Sequence, residues 1–148
     1  VYDFYSQWGV KMKLEEEYKT GVFWQDVQHG QLIELCNKLS NSKSKEFDPS
    51  MFTYTTGFLV MYVNQHFNLE EEYMNKYGYP DLETHKNTHK EFIKELKNFR
   101  SENKSYTPEA AEILSKKLIS WIKDHILGND QKLGSYLIEK EKENLFEQ

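Results

Sequence analysis

The sequence is poor in the residues that interrupt or cross-link a chain. Its 148 residues include only three prolines, seven glycines and one cysteine. So few prolines and glycines disfavour a sandwich of many short strands, and the single Cys36 cannot form an internal disulfide. One thiol fits a reducing compartment, so we expect a cytoplasmic location.

Features typical of membrane and nucleic-acid-binding proteins are also missing from the sequence. No apolar run approaches the roughly 20 residues that a membrane helix needs, and no positively charged, apolar leader opens the chain. The net charge is −5, and the sequence shows no basic stripe interleaved with aromatic residues. Because phosphate binding needs a concentrated basic surface, nucleic acid is not expected as a partner.

What the chain does contain is typical of amphipathic helices. Hydrophobic residues make up 38% and charged residues 29%, with Glu and Lys interleaved, and 15% are aromatic. The pattern predicts helices at about 23–39, 48–76, 82–100 and 107–128, and a shorter one at about 130–142. We therefore predict an all-α, antiparallel up-down four-helix bundle over residues 21–148. Residues 1–20 are predicted to form an N-terminal arm, and the fifth segment a short C-terminal helix.

The five histidines of the chain fall on the apolar faces of these predicted helices. Two pairs, His66 with Glu70 and His85 with His89, are spaced four residues apart, so both members of each pair project from one face of a helix. His29 shares a face with apolar residues of the first helix, and His125 lies one turn beyond Trp121. The bundle is therefore expected to direct five imidazoles and one carboxylate into its core.

Asp130 follows His125 at a spacing of five, which would rotate it away from that face in a regular helix. A distortion at Gly128 and Asn129 would let its carboxylate turn back toward the core. We include Asp130 in the candidate site on that basis.

Two interpretations of these polar residues compete. A single buried histidine is usually a hydrogen-bonded core residue, and the neighbouring Glu71 and Glu72 are expected to be a solvated helix face. Two i,i+4 pairs, and no histidine left outside the core, instead favour a metal site, because buried polar groups need partners. Five neutral nitrogens and two carboxylates suit two metal ions bridged by both acids. Ligand type alone allows iron, manganese or zinc.

Three stretches resemble the hemerythrins, and most closely the bacterial ones. They are GVFWQDVQHGQLIEL, HFNLEEEYMNKYGYPDLETHKNTHKEF and WIKDHILGNDQKLGSYL, which together extend over about residues 21–137. The resemblance implies a di-iron centre. In it, His85, His89 and His125 hold the saturated iron, His29 and His66 hold the open one, and Glu70 and Asp130 bridge both with an oxo or hydroxo group.

The resemblance also implies reversible binding of dioxygen at the open iron, for oxygen transport, storage or delivery, for example to an oxygen-consuming enzyme. The lining of the dioxygen pocket is predicted to include four apolar side chains: Leu32, Phe67, Trp121 and Ile122.

Two alternatives stay open at the level of the sequence. One is an oxygen-sensing domain that controls a partner output domain of a larger signalling protein. The other is a di-iron enzyme acting on peroxide or nitric oxide. The enzyme is less favoured, because di-iron enzymes in bundles commonly use more carboxylates, as in the Glu-x-x-His pattern.

Overall fold

A computed structural model describes residues 16–40 and 50–146 of the chain. The predicted start of the second helix at residues 48 and 49, and the predicted arm as far as residue 15, lie outside the described residues. A short 3-10 turn, Glu16–Tyr18, precedes the helices. These are α1 Phe23–Ser40, α2 Ser50–Lys76, α3 Leu82–Glu102, α4 Pro108–His125 and α5 Gln131–Phe146, with a π turn, Ile126–Asp130, between α4 and α5.

Local chemistry sets two of the helix ends as the sequence predicts. At the end of α2, Gly78 adopts a φ of +63°, and the backbone N–H of Tyr79 donates to the carbonyl of Met74 at 2.9 Å. This closes the helix with a left-handed glycine. At the start of α4, the hydroxyl of Thr107 accepts from the backbone N–H of Ala110 at 3.0 Å, with Pro108 in the first turn.

The helices pack as an antiparallel bundle, which confirms the predicted fold. Helix α1 contacts α2 and α4, and α2 contacts α3. The predicted apolar faces are buried: each of the following side chains is at most 4% exposed. They are Phe52, Leu59, Val63, Met74, Phe92, Leu96, Phe99, Leu114, Leu118 and Ile122.

The last helical segment continues from α4 rather than following a break. The chain widens into the π turn, where the N–H of Gln131 donates to the carbonyl of Ile126, five residues back. Helix α5 then packs its buried Leu133 and Leu137 against Met74 near the end of α2. Since each turn of a π helix takes one extra residue, a spacing of five returns to nearly the same face.

The segment just before α1 lies against α5. The side chain of Gln131 donates to the carbonyl of Lys19 at 3.3 Å. A Cβ atom on Gly134 would lie 2.8 Å from the Cβ of Thr20, so this contact requires glycine. Within the described part of the chain, the helices are all too short or too polar to cross a membrane.

Candidate metal centre

All seven sequence-predicted ligands lie together in the bundle core. Each is at most 2% exposed, and three of them are fully buried. They come from helices α1 to α4 and from the π turn: His29, His66, Glu70, His85, His89, His125 and Asp130. Helices α1 and α3 contribute ligands from their N-terminal halves, and α2 and α4 from their C-terminal halves. Because neighbouring helices are antiparallel, the seven residues lie at the same height along the bundle axis.

The ligand atoms form two groups that share both carboxylates. In the first group, Glu70 and Asp130 meet three histidines, His85, His89 and His125, and in the second they meet His29 and His66. Within each group the nitrogen and oxygen atoms lie within 4.8 Å of one another. Two adjacent positions are thus defined, one with five candidate ligands and one with four.

Asp130 stands between the two groups. Its Oδ2 atom lies 2.7 Å from Nε2 of His29, and its Oδ1 atom lies 2.9 Å from Nε2 of His125 and 3.2 Å from Nε2 of His85. The π turn produces this position, because it places Asp130 on the face of His125 despite their spacing of five. The expected distortion near Gly128 is therefore present, as an i→i+5 turn rather than a helix end.

Glu70 bridges the groups from α2. Its Oε1 atom lies 2.5 Å from Nε2 of His66, and its Oε2 atom lies 3.3 Å from Nε2 of His85. The same carboxylate lies 3.9 Å from Nε2 of His89. The shortest contacts of each carboxylate thus run from one oxygen to each group, and Oε1 of Glu70 also makes the longer contact with His89.

The outward-facing Nδ1 atoms of three histidines have partners outside the cluster. His66 donates from Nδ1 to Oε1 of Gln28 at 2.5 Å, and His89 donates to Oε1 of Glu71 at 3.3 Å. Thr88 donates its hydroxyl proton to the carbonyl of His85 at 2.7 Å, so its oxygen accepts from Nδ1 of His125 at 3.4 Å. A proton held on Nδ1 leaves the lone pair of a neutral imidazole on Nε2, facing the centre.

The inner atoms of the cluster lack sufficient partners within the protein. Nε2 of His89 lies 3.2 Å from Nε2 of His125, and with both protons on Nδ1 two lone pairs face each other. Nε2 of His66, Nε2 of His85, Oε1 of Glu70 and Oδ1 of Asp130 are buried and make no well-aligned hydrogen bond. Buried polar atoms are rarely left so, and a cation at each position would satisfy them. The donor set therefore fits two metal ions.

The pKa values of the carboxylates in the metal-free cluster also indicate a site that attracts positive charge. Burial and the charge of Asp130 oppose ionisation of Glu70, but the charge of His66 and the close contacts of His66 and His85 with the carboxylate outweigh them and lower the pKa of Glu70 to about 2. Burial opposes ionisation of Asp130 as well, yet the His125 charge and hydrogen bonds hold its pKa well below the usual range. Both carboxylates are therefore anions.

The histidines respond in two different ways. Burial disfavours the cation of His66, but the charge of Glu70 and the contact with Asp130 outweigh it and raise the pKa of His66 to about 10. The same carboxylates raise the pKa of His85 to about 9, against its burial. Burial, with the charges of His125 and His85, lowers the pKa of His89 to about 3. The two carboxylates thus favour protons on His66 and His85 until metal ions replace them.

Aromatic rings enclose the side of the centre that holds three histidines. Phe67 stacks on His89 with ring centroids 3.8 Å apart, and Trp121 stacks on His125 at 4.3 Å. Leu32 and Ile122 are buried in the adjoining apolar core. The assignment of these four side chains to a dioxygen pocket stays a prediction. Phe67 also contacts the two-histidine group, with its ring centroid 5.8 Å from that of His66.

Sequence reasoning missed the residues that support the ligands. Gln25 is fully buried and donates from Nε2 to Oε2 of Glu70 at 3.4 Å. Its position, one turn before His29, is a signal that could have been used. Glu71 was expected on a solvated face but lies against His89, with its side chain 21% exposed. Nothing in the sequence pattern distinguishes Glu71 from the exposed Glu72.

A helical bundle around a buried set of five imidazoles and two carboxylates defines the class of bundle proteins that hold paired metals in their core. A family model described as the Hemerythrin HHE cation binding domain matches residues 20–137. The bacteriohemerythrin of Clostridium acetobutylicum is 31% identical over 122 residues, which cover 79% of this chain and 94% of that protein. The myohemerythrin of Theromyzon tessulatum is 31% identical over 107 residues, with 72% and 78% covered.

A solved structure gives the same result. The crystal structure of a wild-type hemerythrin matches with a TM-score of 0.68 and 26% sequence identity, over 82% of this chain and 92% of that one. The chain belongs to the hemerythrin family, which is known for binding oxygen at a di-iron site.

Proposed function

We propose that this chain holds two iron ions between its two ligand groups and binds dioxygen reversibly, as an oxygen carrier or store. The observation that carries the proposal is the sharing of Glu70 and Asp130 between two adjacent groups of buried ligands. Two bound iron ions would supply reversible one-electron chemistry and a vacant coordination position for dioxygen.

The chain's own residues make the two positions unequal. His85, His89 and His125 give one position three imidazoles, whereas His29 and His66 give the other two. With both carboxylates shared, the position of His29 and His66 has one protein ligand fewer. We assign the dioxygen site to that position.

The surroundings of the centre favour reversible binding over turnover. The ligands are at most 2% exposed, and the apolar core that includes Leu32 and Ile122 adjoins them. Such a shell excludes water and anions, which would otherwise compete for the vacant position or promote loss of electrons. The hydrogen bonds from Gln25, and to Gln28 and Glu71, hold the ligands in place from outside.

The first experiment measures iron and oxygenation. Protein loaded anaerobically with Fe(II) should contain two iron ions per chain. Its optical spectrum should change under dioxygen and return when the pressure is lowered. Catalytic consumption of added peroxide, with no reversible spectrum, would instead favour the enzyme. The oxygen-sensing alternative predicts an output domain on the same polypeptide, which the complete gene would reveal.

A pair of variants tests the ligand assignment. His66→Ala removes one of the two imidazoles at the open position and should abolish the reversible spectrum. Glu70→Ala removes a shared carboxylate and should lower the iron content toward zero. Glu72→Ala, two residues away on the exposed face of α2, is the matched control and should keep two iron ions and full oxygenation. An unchanged spectrum in His66→Ala would contradict the assignment.

A further inference from the structure

A row of four lysines runs along α3 beside a groove. We call Lys86, Lys90, Lys94 and Lys97 the α3 lysine row. Their spacings of four, four and three place them in one stripe of the helix. They line a groove of about 470 Å³ between α2 and α3, together with three asparagines. None of the four has a carboxylate oxygen within 4.0 Å among residues 16–40 and 50–146.

The floor of this groove reaches the candidate metal centre. Phe67 and His89 line it, and their rings are stacked with centroids 3.8 Å apart and an angle of 7° between planes. His89 directs Nε2 into the cluster and donates from Nδ1 to Glu71, which also lines the groove. One side chain therefore separates the groove from the centre.

The floor of the groove blocks the passage of molecules to the centre, but electrons can cross it. Phe67 is 3% exposed and His89 is 2% exposed, so a substrate that occupied the groove could not reach the ligand atoms. Electrons, in contrast, transfer efficiently across one or two packed rings. A partner bound in the groove would thus be placed for electron transfer rather than for chemistry on a bound substrate.

We propose that the α3 lysine row docks the acidic surface of a one-electron donor, a flavin or iron–sulfur protein, which reduces the centre through Phe67 and His89. The inference rests on the proposed function. A centre oxidised to two Fe(III) has no electrons to share with dioxygen. Two electron transfers convert two Fe(III) to two Fe(II), and each donor molecule is oxidised by one electron.

Charge explains why an acidic partner would select this face. The chain carries a net charge of −5, so its overall charge repels an acidic protein. The α3 lysine row is a local region of opposite sign, and such complementarity steers the encounter and fixes its orientation more than it strengthens binding. Electron-transfer complexes commonly use interfaces of this small, polar kind.

The experiment compares two charge reversals of equal size. Lys90→Glu/Lys94→Glu reverses the centre of the row. Lys38→Glu/Lys123→Glu changes the net charge by the same amount at exposed positions of α1 and α4 that do not line the groove. The probe is flavodoxin, an acidic flavoprotein. Two quantities are measured at low salt: the binding of oxidised flavodoxin to the diferric protein, and the rate at which reduced flavodoxin reduces it.

Wild type and the control variant should agree within about twofold in both measurements, whereas the row variant should bind more weakly and be reduced at least roughly tenfold more slowly. Equal effects in both variants, or no effect of the row, would overturn the inference. Iron content and reversible oxygenation are measured first on the same samples. If wild type lacks the iron pair, the proposed function fails. If it oxygenates normally while the row has no effect, only the docking inference fails.

Discussion

The bundle interior has an apolar half and a polar half. Both are buried, but their side chains differ in whether they find suitable partners within the protein. The apolar half consists of side chains that are at most 4% exposed and touch other apolar groups: Ile33, Leu39, Phe52, Leu59, Leu96, Phe99 and Leu114. The polar half consists of the seven candidate ligands, at most 2% exposed. The side chains of the apolar half need no partners beyond these packing contacts. The polar half leaves lone pairs and carboxylate oxygens without partners.

This difference shows what each half contributes. Burial of apolar surface stabilises the fold whatever else is bound. Burial of polar atoms without partners costs free energy, so this cost offsets part of what the paired charges of the polar half contribute until cations occupy it. The apolar half is therefore expected to stabilise the fold with or without metal, whereas the polar half is expected to add most of its stability when metal is bound.

Removal of metal should have the largest effect on the free energy of unfolding. This change acts only on the polar half. Protein loaded with iron should be more stable toward unfolding than metal-free protein by about 4 kcal/mol or more, the value for free ligand at a thousand times its Kd. The measurement is thermal or denaturant unfolding followed by circular dichroism, with and without a strong chelator. In Glu70→Ala the chelator should have little effect. Equal stability of the loaded and metal-free forms would contradict the comparison.

A cavity in the apolar half should have the next largest effect. Leu114 is 1% exposed, so Leu114→Ala should lower the free energy of unfolding by about 3 kcal/mol. The iron content should stay at that of wild type, because the cavity lies in the apolar half. Ile113→Ala is the matched control. Ile113 precedes Leu114 and is 48% exposed, so this variant should lower the free energy of unfolding by at most about 0.5 kcal/mol. Loss of iron in Leu114→Ala would show that the halves are coupled.

A change in the support of a bridging ligand should have a smaller effect. Gln25→Leu removes the donor to Glu70 without removing a ligand. Iron affinity should fall about 10- to 100-fold, as is typical when an outer hydrogen bond to a ligand is lost, while both ions still bind at high concentration. Competition with a chelator of known affinity measures this. Gln65→Leu, at an exposed position of α2, should leave the affinity unchanged. Equal affinities in the two variants would rule out support of Glu70 by Gln25.

Helical periodicity explains how much of the fold and site could be predicted. His66 with Glu70, and His85 with His89, each lie on one face because four residues nearly complete a turn. Apolar neighbours on the same faces indicate that these faces point inward. The helix bounds predicted near residues 76 and 107 follow from backbone chemistry that is local in sequence, at Gly78 and Pro108. These predictions needed no knowledge of how the helices pack.

Other features depend on contacts that periodicity does not encode. Asp130 reaches the centre through a π turn, whose i→i+5 hydrogen bond leaves no clear mark in the spacing of apolar residues. The contacts of Gln28 with His66 and of Glu71 with His89 join different helices, so they depend on how the helices are placed and on side-chain rotamers. Such support was therefore not predictable from a single helix.

The smallest predicted effect concerns the thiol of Cys36 in the apolar half. Its pKa is raised, whereas the pKa of Glu70 in the polar half is lowered. Burial raises the pKa of the Cys36 thiol to about 12, from an ordinary value of 9.0. In the unfolded chain the thiol ionises above pH 9, whereas in the fold it keeps its proton. The folded state thus binds more protons between those values, and its stability falls as the pH rises from about 9 toward 12.

The loss attributable to this thiol should be about 1.4 kcal/mol for each pH unit above 9 and close to zero between pH 7 and 8. It is measured as the difference in free energy of unfolding between wild type and Cys36→Ala at pH 8 and at pH 10. Cys36→Ala loses packing at both pH values, so only the change in the difference reports the thiol. A difference that stays constant would mean that the apolar half does not oppose ionisation, and the electrostatic contrast between the halves would then be confined to the candidate ligands.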